Sequence, residues 1–316
     1  MNVAIHVATL CLLLPVACGE GQPAVSGIGE PIRVTGGQYI AGDLPSSAGG
    51  PAITATAFNN QNVLLGEAGK AISGRAQDAA FAVGVRFGDL GTGYWVVPVT
   101  EPDPQFPGEI TFGFSADFDA NIPAGFHPLR FVAIDAAGHG GAPMDTPLCV
   151  AGRIPDNLHA CLPSTPPPAV VISLRWDTNF DVDLHVLIPS GVDVNPKSPL
   201  TQPMEAGTAP DSNAPRIDRD SLGGCVHDGL RQEDLVFQTA PPPGSYQIRV
   251  DPFDACGQSA VRFELTIFKA MGACPACSLQ PIPLPPSGAL SQAGELLASQ
   301  ATGGASSGLY VLSVSL

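Results

Sequence analysis

Apolar side chains recur at every second position through most of this chain, and that period is the signature of strands with one buried face. Phe81, Val83, Val85 and Phe87 form one such row, Ile110, Phe112 and Phe114 another. Asp89-Leu90-Gly91-Thr92-Gly93 supplies a turn, followed by Tyr94 to Val99 and later Leu129 to Asp135. With Ile53 to Phe58 and Lys70 to Ala76, residues 31–150 hold about seven short strands, a spacing that predicts a β-sandwich. The pattern resumes at 169–316. Val170, Ile172, Leu174 and Trp176 share a face, and Val182, Leu184, Val186 and Ile188 share the next, leaving Asp181, Asp183 and His185 on the opposite side. Tyr246/Ile248/Val250, Val261/Phe263/Leu265/Ile267 and Tyr310/Leu312/Val314/Leu316 complete a second sandwich. A polar loop from Val192 to about Gly224 interrupts it, and Ala289 to Ser299 is expected to form one short helix. The predicted class is therefore all-β, with two β-sandwich domains.

Composition agrees with many short strands and turns: of 316 residues, 36 are Gly and 33 Pro, and only 14% are charged. The net charge of −15 argues against a nucleic-acid partner, which selects basic surfaces. Pro163-Ser164-Thr165-Pro166-Pro167-Pro168 is a stiff spacer, so residues 151–168 are read as a disulfide loop and linker between the domains. At the start, Val7 to Val16 is apolar but too short to span a bilayer, as in a signal peptide (residues 1–17). Val16-Ala17-Cys18 resembles the lipobox of bacterial lipoproteins, which implies lipidation of Cys18 and an outer-membrane anchor. The alternative is a plain secretory signal. Residues 18–30, small and polar, read as a tether.

Six cysteines lie beyond Cys11 and Cys18. In an exported chain an even set reads as disulfides. Proximity along the chain favours Cys149–Cys161, Cys225–Cys256 and Cys274–Cys277, although other pairings stay open. Cys274-Pro275-Ala276-Cys277 has redox-motif spacing, but it follows an antiparallel-type strand rather than opening a helix, so a structural disulfide is expected.

The densest chemistry is Trp176-Asp177-Thr178-Asn179-Phe180-Asp181-Val182-Asp183. Asp181 and Asp183 are two residues apart on a strand, roughly 6.6 Å between Cα atoms, and their carboxylates can converge. Calcium takes oxygen ligands of this kind. Asp177 and Asn179 in the turn, and Asp218 and Asp220 if the long loop folds back, complete the candidate set, with Asp228 and Glu233 as further donors. The competing reading is that these acids cap turns or pair with arginines. Zinc is the weaker choice, because no His pair has helical spacing with a Glu, although His185 and His227 could meet near the aspartates. Gly304-Ala305-Ser306-Ser307-Gly308 matches a serine-hydrolase elbow in letters only, since too little chain follows to supply Asp and His.

Two resemblances bear on these residues. In pattern, 31–150 resembles immunoglobulin-like domains of bacterial surface proteins. Leu174-x-Trp176-Asp177-Thr178, Asp181-Val182-Asp183-Leu184-His185-Val186, Gly224-Cys225, Pro243-Gly244-x-Tyr246 and Phe253-x-x-Cys256-Gly257 are similar to the YfaP-type domain of exported bacterial proteins, over about residues 170–270. This resemblance implies a second sandwich, jelly-roll-like or immunoglobulin-like, and an accessory role without an assigned activity. The expectation is a non-enzymatic cell-envelope lipoprotein that binds a protein or carbohydrate ligand or serves as an adhesion or structural module, with calcium fixing its loops. The alternative is a secreted or envelope hydrolase, or its accessory subunit, using the acidic face.

Overall fold

The computed structural model describes residues 27–46, 49–201, 214–274 and 276–316. The predicted signal peptide, Cys18 and most of the tether lie outside the described residues, as do residues 202–213 of the long loop.

The described chain is all-β, arranged as sheets packed in sandwiches. Its first half contributes β1 (Ile32–Val34), β2 (Gln38–Ala41), β3 (Ile53–Phe58), β4 (Asn62–Val63), β5 (Lys70–Gln77), β6 (Ala82–Phe87), β7 (Gly93–Pro98), β8 (Glu109–Phe118), β9 (Gly125–Ile134) and β10 (Met144–Val150). They pair in the orders β1-β8-β5-β3 and β2-β7-β6-β9-β10-β4. Ile32, Phe87, Phe112, Phe118, Leu129 and Phe131 fill the space between the two sheets. The row predicted at 81–87 loses its first member: β6 begins at Ala82, and Phe81 is 67% exposed.

The second half contributes β11 (Val170–Trp176), β12 (Asp181–Leu187), β13 (Asp193–Val194), β14 (Arg216–Ile217), β15 (Gln232–Phe237), β16 (Ser245–Asp254), β17 (Ala260–Met271), β18 (Ser278–Pro281), β19 (Gln292–Leu297) and β20 (Leu309–Ser315). One sheet runs β14-β15-β11-β17-β18, with β19 also on β17, and the other runs β13-β12-β16-β20. Between them, Ile172, Leu174, Phe180, Leu184, Tyr246, Ile248 and Leu265 form a second, separate core.

The helix expected at Ala289 to Ser299 is instead strand β19, followed by a single 3-10 turn at Ala298–Gln300. The long strand β17 offers an edge along its first half, and β19 pairs with it from Ala260↔Leu297 to Leu265↔Gln292. Gly294 faces Phe263, whose ring lies 2.4 Å from where a Cβ would stand. Sheet pairing thus overrides a local helical preference.

Strand β15 has no counterpart among the predicted elements. It opens on Gln232, Glu233 and Asp234, which read as loop, yet all six residues are buried. Disulfides join Cys149 to Cys161, Cys225 to Cys256, and Cys274 to Cys277. Such bonds belong to an oxidising, exported environment. Among the described residues no helix is long and apolar enough to cross a membrane.

Candidate metal centre

Strand β12 carries the candidate site because its two faces have different fates. Val182, Leu184 and Val186 enter the core. Asp181, Asp183 and His185 point the other way, yet they are only 1%, 2% and 8% exposed. The face opposite the apolar row is therefore covered as well. On the neighbouring strand, Asp251 stands directly opposite Asp183 in the β12–β16 register and is itself fully buried. Like charges in that position repel, and burial strengthens the repulsion.

Ligand atoms of Asp181, Asp183 and Asp220 lie within 4.8 Å of one another. Two oxygens on opposite sides of a calcium ion stand about 4.8 Å apart, so one ion fits among the three. Asp220 comes from the long loop, which folds back over β12. A second group shares Asp183: its oxygen, a His185 nitrogen and an Asp251 oxygen also lie within 4.8 Å of one another. His185 Nδ1 is 2.9 Å from Asp193 Oδ2, the kind of carboxylate contact that orients a ring nitrogen toward a ligand.

The hydrogen bonds leave the site short of donors. Asp181 Oδ2 accepts from Gly224 N–H at 2.9 Å, but Asp181 Oδ1 is buried with no hydrogen-bond partner among the described residues. Both Asp251 oxygens share one Thr302 hydroxyl, at 2.9 and 3.0 Å. Lys197 is the nearby cation. Its Nζ is 3.6 Å from Asp183 Oδ2 and 3.4 Å from the centre of the Phe253 ring, on a side chain that is half-exposed. Burial pushes the Asp181 carboxyl up to about 7, against the Gly224 N–H and with help from Asp183 and Asp220. Burial also raises Asp183 to about 6, against Lys197, and lifts Asp251 against its Thr302 bond. A cation among these groups would replace the protons that burial otherwise favours.

Glu233, fully buried, borders the cluster from β15 and braces it. Its Oε2 accepts from Leu184 N–H at 2.7 Å and its Oε1 from Ser221 N–H at 3.3 Å. Over residues 181–185, β12 has a ladder partner on the β16 side, while β13 joins only Val186 and Leu187. Glu233 therefore satisfies an open-edge donor that would otherwise be buried and unpaired. Burial raises its carboxyl well above the ordinary range.

The other predicted donors go elsewhere. Asp177 Oδ1 accepts from Arg262 N–H at 2.9 Å. Asn179 is exposed in the same turn. Asp218 accepts from the Arg219 guanidinium and, at 3.0 Å, from Asp234 N–H. For Asp177 and Asp218, turn and ion-pair chemistry describes the contacts. His227 is exposed and belongs to neither group. Asp251 was overlooked, although its parity beside Tyr246, Ile248 and Val250 already put it on the outward face. Ser306 Oγ accepts from Gly308 N–H at 3.2 Å, which makes the Gly-x-Ser-x-Gly string a turn. Cys274–Cys277 closes the β17–β18 hairpin.

No family model matches the chain, and no curated protein is similar to it. Among solved structures it is similar to Gamma-CGTASE from alkalophilic Bacillus clarkii, at 10% identity and a TM-score of 0.18. The likeness covers 73% of this chain and 24% of that one, so the chain spans about a quarter of that protein's length. At that TM-score it carries no argument.

Proposed function

We propose that this protein is an exported envelope module that binds a ligand rather than catalysing a reaction, with a calcium-type ion clamping its C-terminal sandwich. Asp181, Asp183 and Asp220 would hold the ion, with water and backbone carbonyls completing the shell. The observation that carries the reading is Asp181 Oδ1, a carboxylate oxygen buried without a hydrogen-bond partner among the described residues, beside two further convergent carboxylates. An all-oxygen set suits calcium or magnesium better than a transition metal. The ion would tie the exposed loop at Asp220 to β12 and so fix the surface that meets a partner. The three disulfides, the Val16-Ala17-Cys18 sequence and the YfaP-type motif from Leu174 to Gly257 support an accessory module lipid-anchored at the outer membrane, with plain secretion as the alternative.

The test is thermal unfolding of the purified full chain with calcium added or chelated. At a hundred times Kd, a ligand that binds only the folded state adds about 2.7 kcal/mol, or about 5–10 °C in melting temperature for a domain of this size. Asp181→Asn should abolish the increment. A melting curve indifferent to calcium would reject the clamp.

The second reading, a hydrolase on the same acidic face, is favoured by one observation: His185 and Asp251 share Asp183 with the carboxylate group. Turnover of ester, glycoside or peptide substrates that is lost in Asp183→Asn would establish it over the binding reading.

A further inference from the structure

The chain has only 14 Lys and Arg residues against 29 acids, yet four arginines line one cleft of about 320 Å³ between the two halves. They are Arg153 from the linker, Arg175 from β11, and Arg219 and Arg231 from the loop before β15. Only Arg219 is neutralised locally, by Asp218. The Arg175 side chain makes no hydrogen bond, and no ion pair within 4.0 Å, among the described residues. Burial, and then the charge of Arg153, disfavour its protonated form. Glu264 and Asp234 favour the Arg175 charge from a distance, less than burial and Arg153 oppose it. Two guanidinium groups thus face one cleft without a direct carboxylate partner for either among the described residues.

The remaining polar groups narrow the ligand. Trp176 lines the cleft and is 7% exposed, and its indole N–H is buried without an acceptor among the described residues. Asp156 lines it too, with Oδ1 buried and lacking a donor. Asn157, Leu158 and Arg231, all lining residues, hold φ of 58°, 57° and 60°. Non-glycine residues rarely adopt that region, and it gathers at functional sites. The walls are pinned by close backbone contact. Ala68 N–H donates to Asp228 O at 3.1 Å, and a Cβ on Gly229, at φ 82°, would stand 2.2 Å from Gly66 O.

Inorganic phosphate would satisfy the arginines, but it packs its whole charge into one compact group beside the Asp156 carboxylate and repels it. A neutral sugar would leave the arginines unpaired. A cleft of this volume is at the small end for ligand sites, about 300–1,000 Å³. It takes a single ring and excludes a folded partner. We propose that this cleft binds an acidic sugar of the hexuronate class, its carboxylate held by Arg175 and Arg153 and a ring hydroxyl donating to Asp156. The cleft shares no residue with the cation site, so the two stand or fall separately.

Calorimetry on the full chain, in chelator to exclude calcium effects, tests this with sodium glucuronate, glucose, inorganic phosphate and trigalacturonate. Glucuronate should bind, with glucose and phosphate at least about tenfold weaker, the cost of unmatched charged or polar groups. Arg175→Gln should weaken glucuronate about tenfold or more with the melting temperature of the free protein close to wild type, because burial and repulsion from Arg153 are relieved as attraction to Glu264 and Asp234 is lost. Asp156→Asn should weaken glucuronate and strengthen phosphate, because the acceptor for the ring hydroxyl and the charge that repels phosphate go together. If Arg175→Gln fails to fold, Arg153→Gln, at an exposed position, gives the same readout. Tighter binding of trigalacturonate would make the occupant a polymer; tighter glucuronate would make it a free sugar. Absence of glucuronate binding, equal affinity for phosphate, or an unaltered affinity in Arg175→Gln and Arg153→Gln would overturn the proposal.

Discussion

Asp234 shows at one residue what burial does to a carboxyl group. It lies opposite Ser173 in the β11–β15 pairing and is fully buried. Its Oδ2 accepts from Gln232 Nε2 at 2.7 Å, while Oδ1 has no partner among the described residues. Burial first, and then the Asp218 charge, push it up to about 7. The groups that face it are Asp218 and the cations Arg219 and Arg175. The folded state therefore holds this proton more tightly than the unfolded chain does. The resulting stability is present below about pH 4 and is lost as pH rises through 7. Asp234→Asn keeps an acceptor for Gln232 and removes the charge. It should gain on wild type between pH 4 and pH 8 by on the order of 2–4 kcal/mol, read from urea unfolding at both pH values. A difference that stays constant with pH would show that Asp234 remains ionised throughout. Backbone strain is equally localised. The six described non-glycine residues with positive φ are Asn157, Leu158, Leu222, Cys225, Arg231 and Cys256. Three line the arginine cleft, and the other three belong to the loop and the disulfide that border the cation site.

Among the elements, β12 and β15 explain both the success and the failure of pattern reading. The alternation in β12 is plain, so its apolar row was legible. Its polar row is also buried, because the loop carrying Asp220 and the strand carrying Glu233 close over it. That covering depends on contacts distant in the chain, which no local window contains. Strand β15 escaped notice for the same reason: its leading Gln232, Glu233 and Asp234 are buried only because they satisfy partners on other elements. The Cys225–Cys256 bond spans 31 residues and ties the covering loop to the end of β16. In the chain-entropy account, closing a loop of that length contributes about 3–4 kcal/mol. Replacing both cysteines by serine should cost about that much in chemical unfolding. It should also reduce the calcium-induced rise in melting temperature, because Asp220 is then held less firmly. An unchanged calcium response would separate the loop from the ion.

At the scale of the whole molecule, two separate cores are joined through a braced linker and a backbone apposition at Gly229. The linker contributes Arg153 to the cleft and also donors and acceptors to the second sandwich: Gln232 Nε2 donates to Arg153 O at 3.0 Å, and Asn157 exchanges hydrogen bonds with Gln238. The proposed envelope role requires an attachment, and the Cys18 sequence supplies the candidate. Diacylation gives a stable anchor where a single chain does not. Wild type should fractionate with membranes, and Cys18→Ala should be released to the soluble fraction. A Cys18→Ala protein that stays in the membrane fraction would refute lipid anchoring at this position.

The two-period alternation of apolar residues, the proline spacer and the six cysteines were enough to determine an all-β chain of two sandwiches built for an oxidising environment. These are local properties, set by side-chain parity and by composition. Which acids met was decided only in three dimensions. Asp181, Asp183 and Asp220 converge because a loop folds back, Asp251 meets Asp183 through strand register, Asp177 and Asp218 find other partners, and Asn179 stays exposed in its turn. The arginine cleft is wholly tertiary, since its four cations are scattered from 153 to 231 and carry no motif. Charge repulsion and burial act through space, so their balance became readable only once the sheets had been laid side by side.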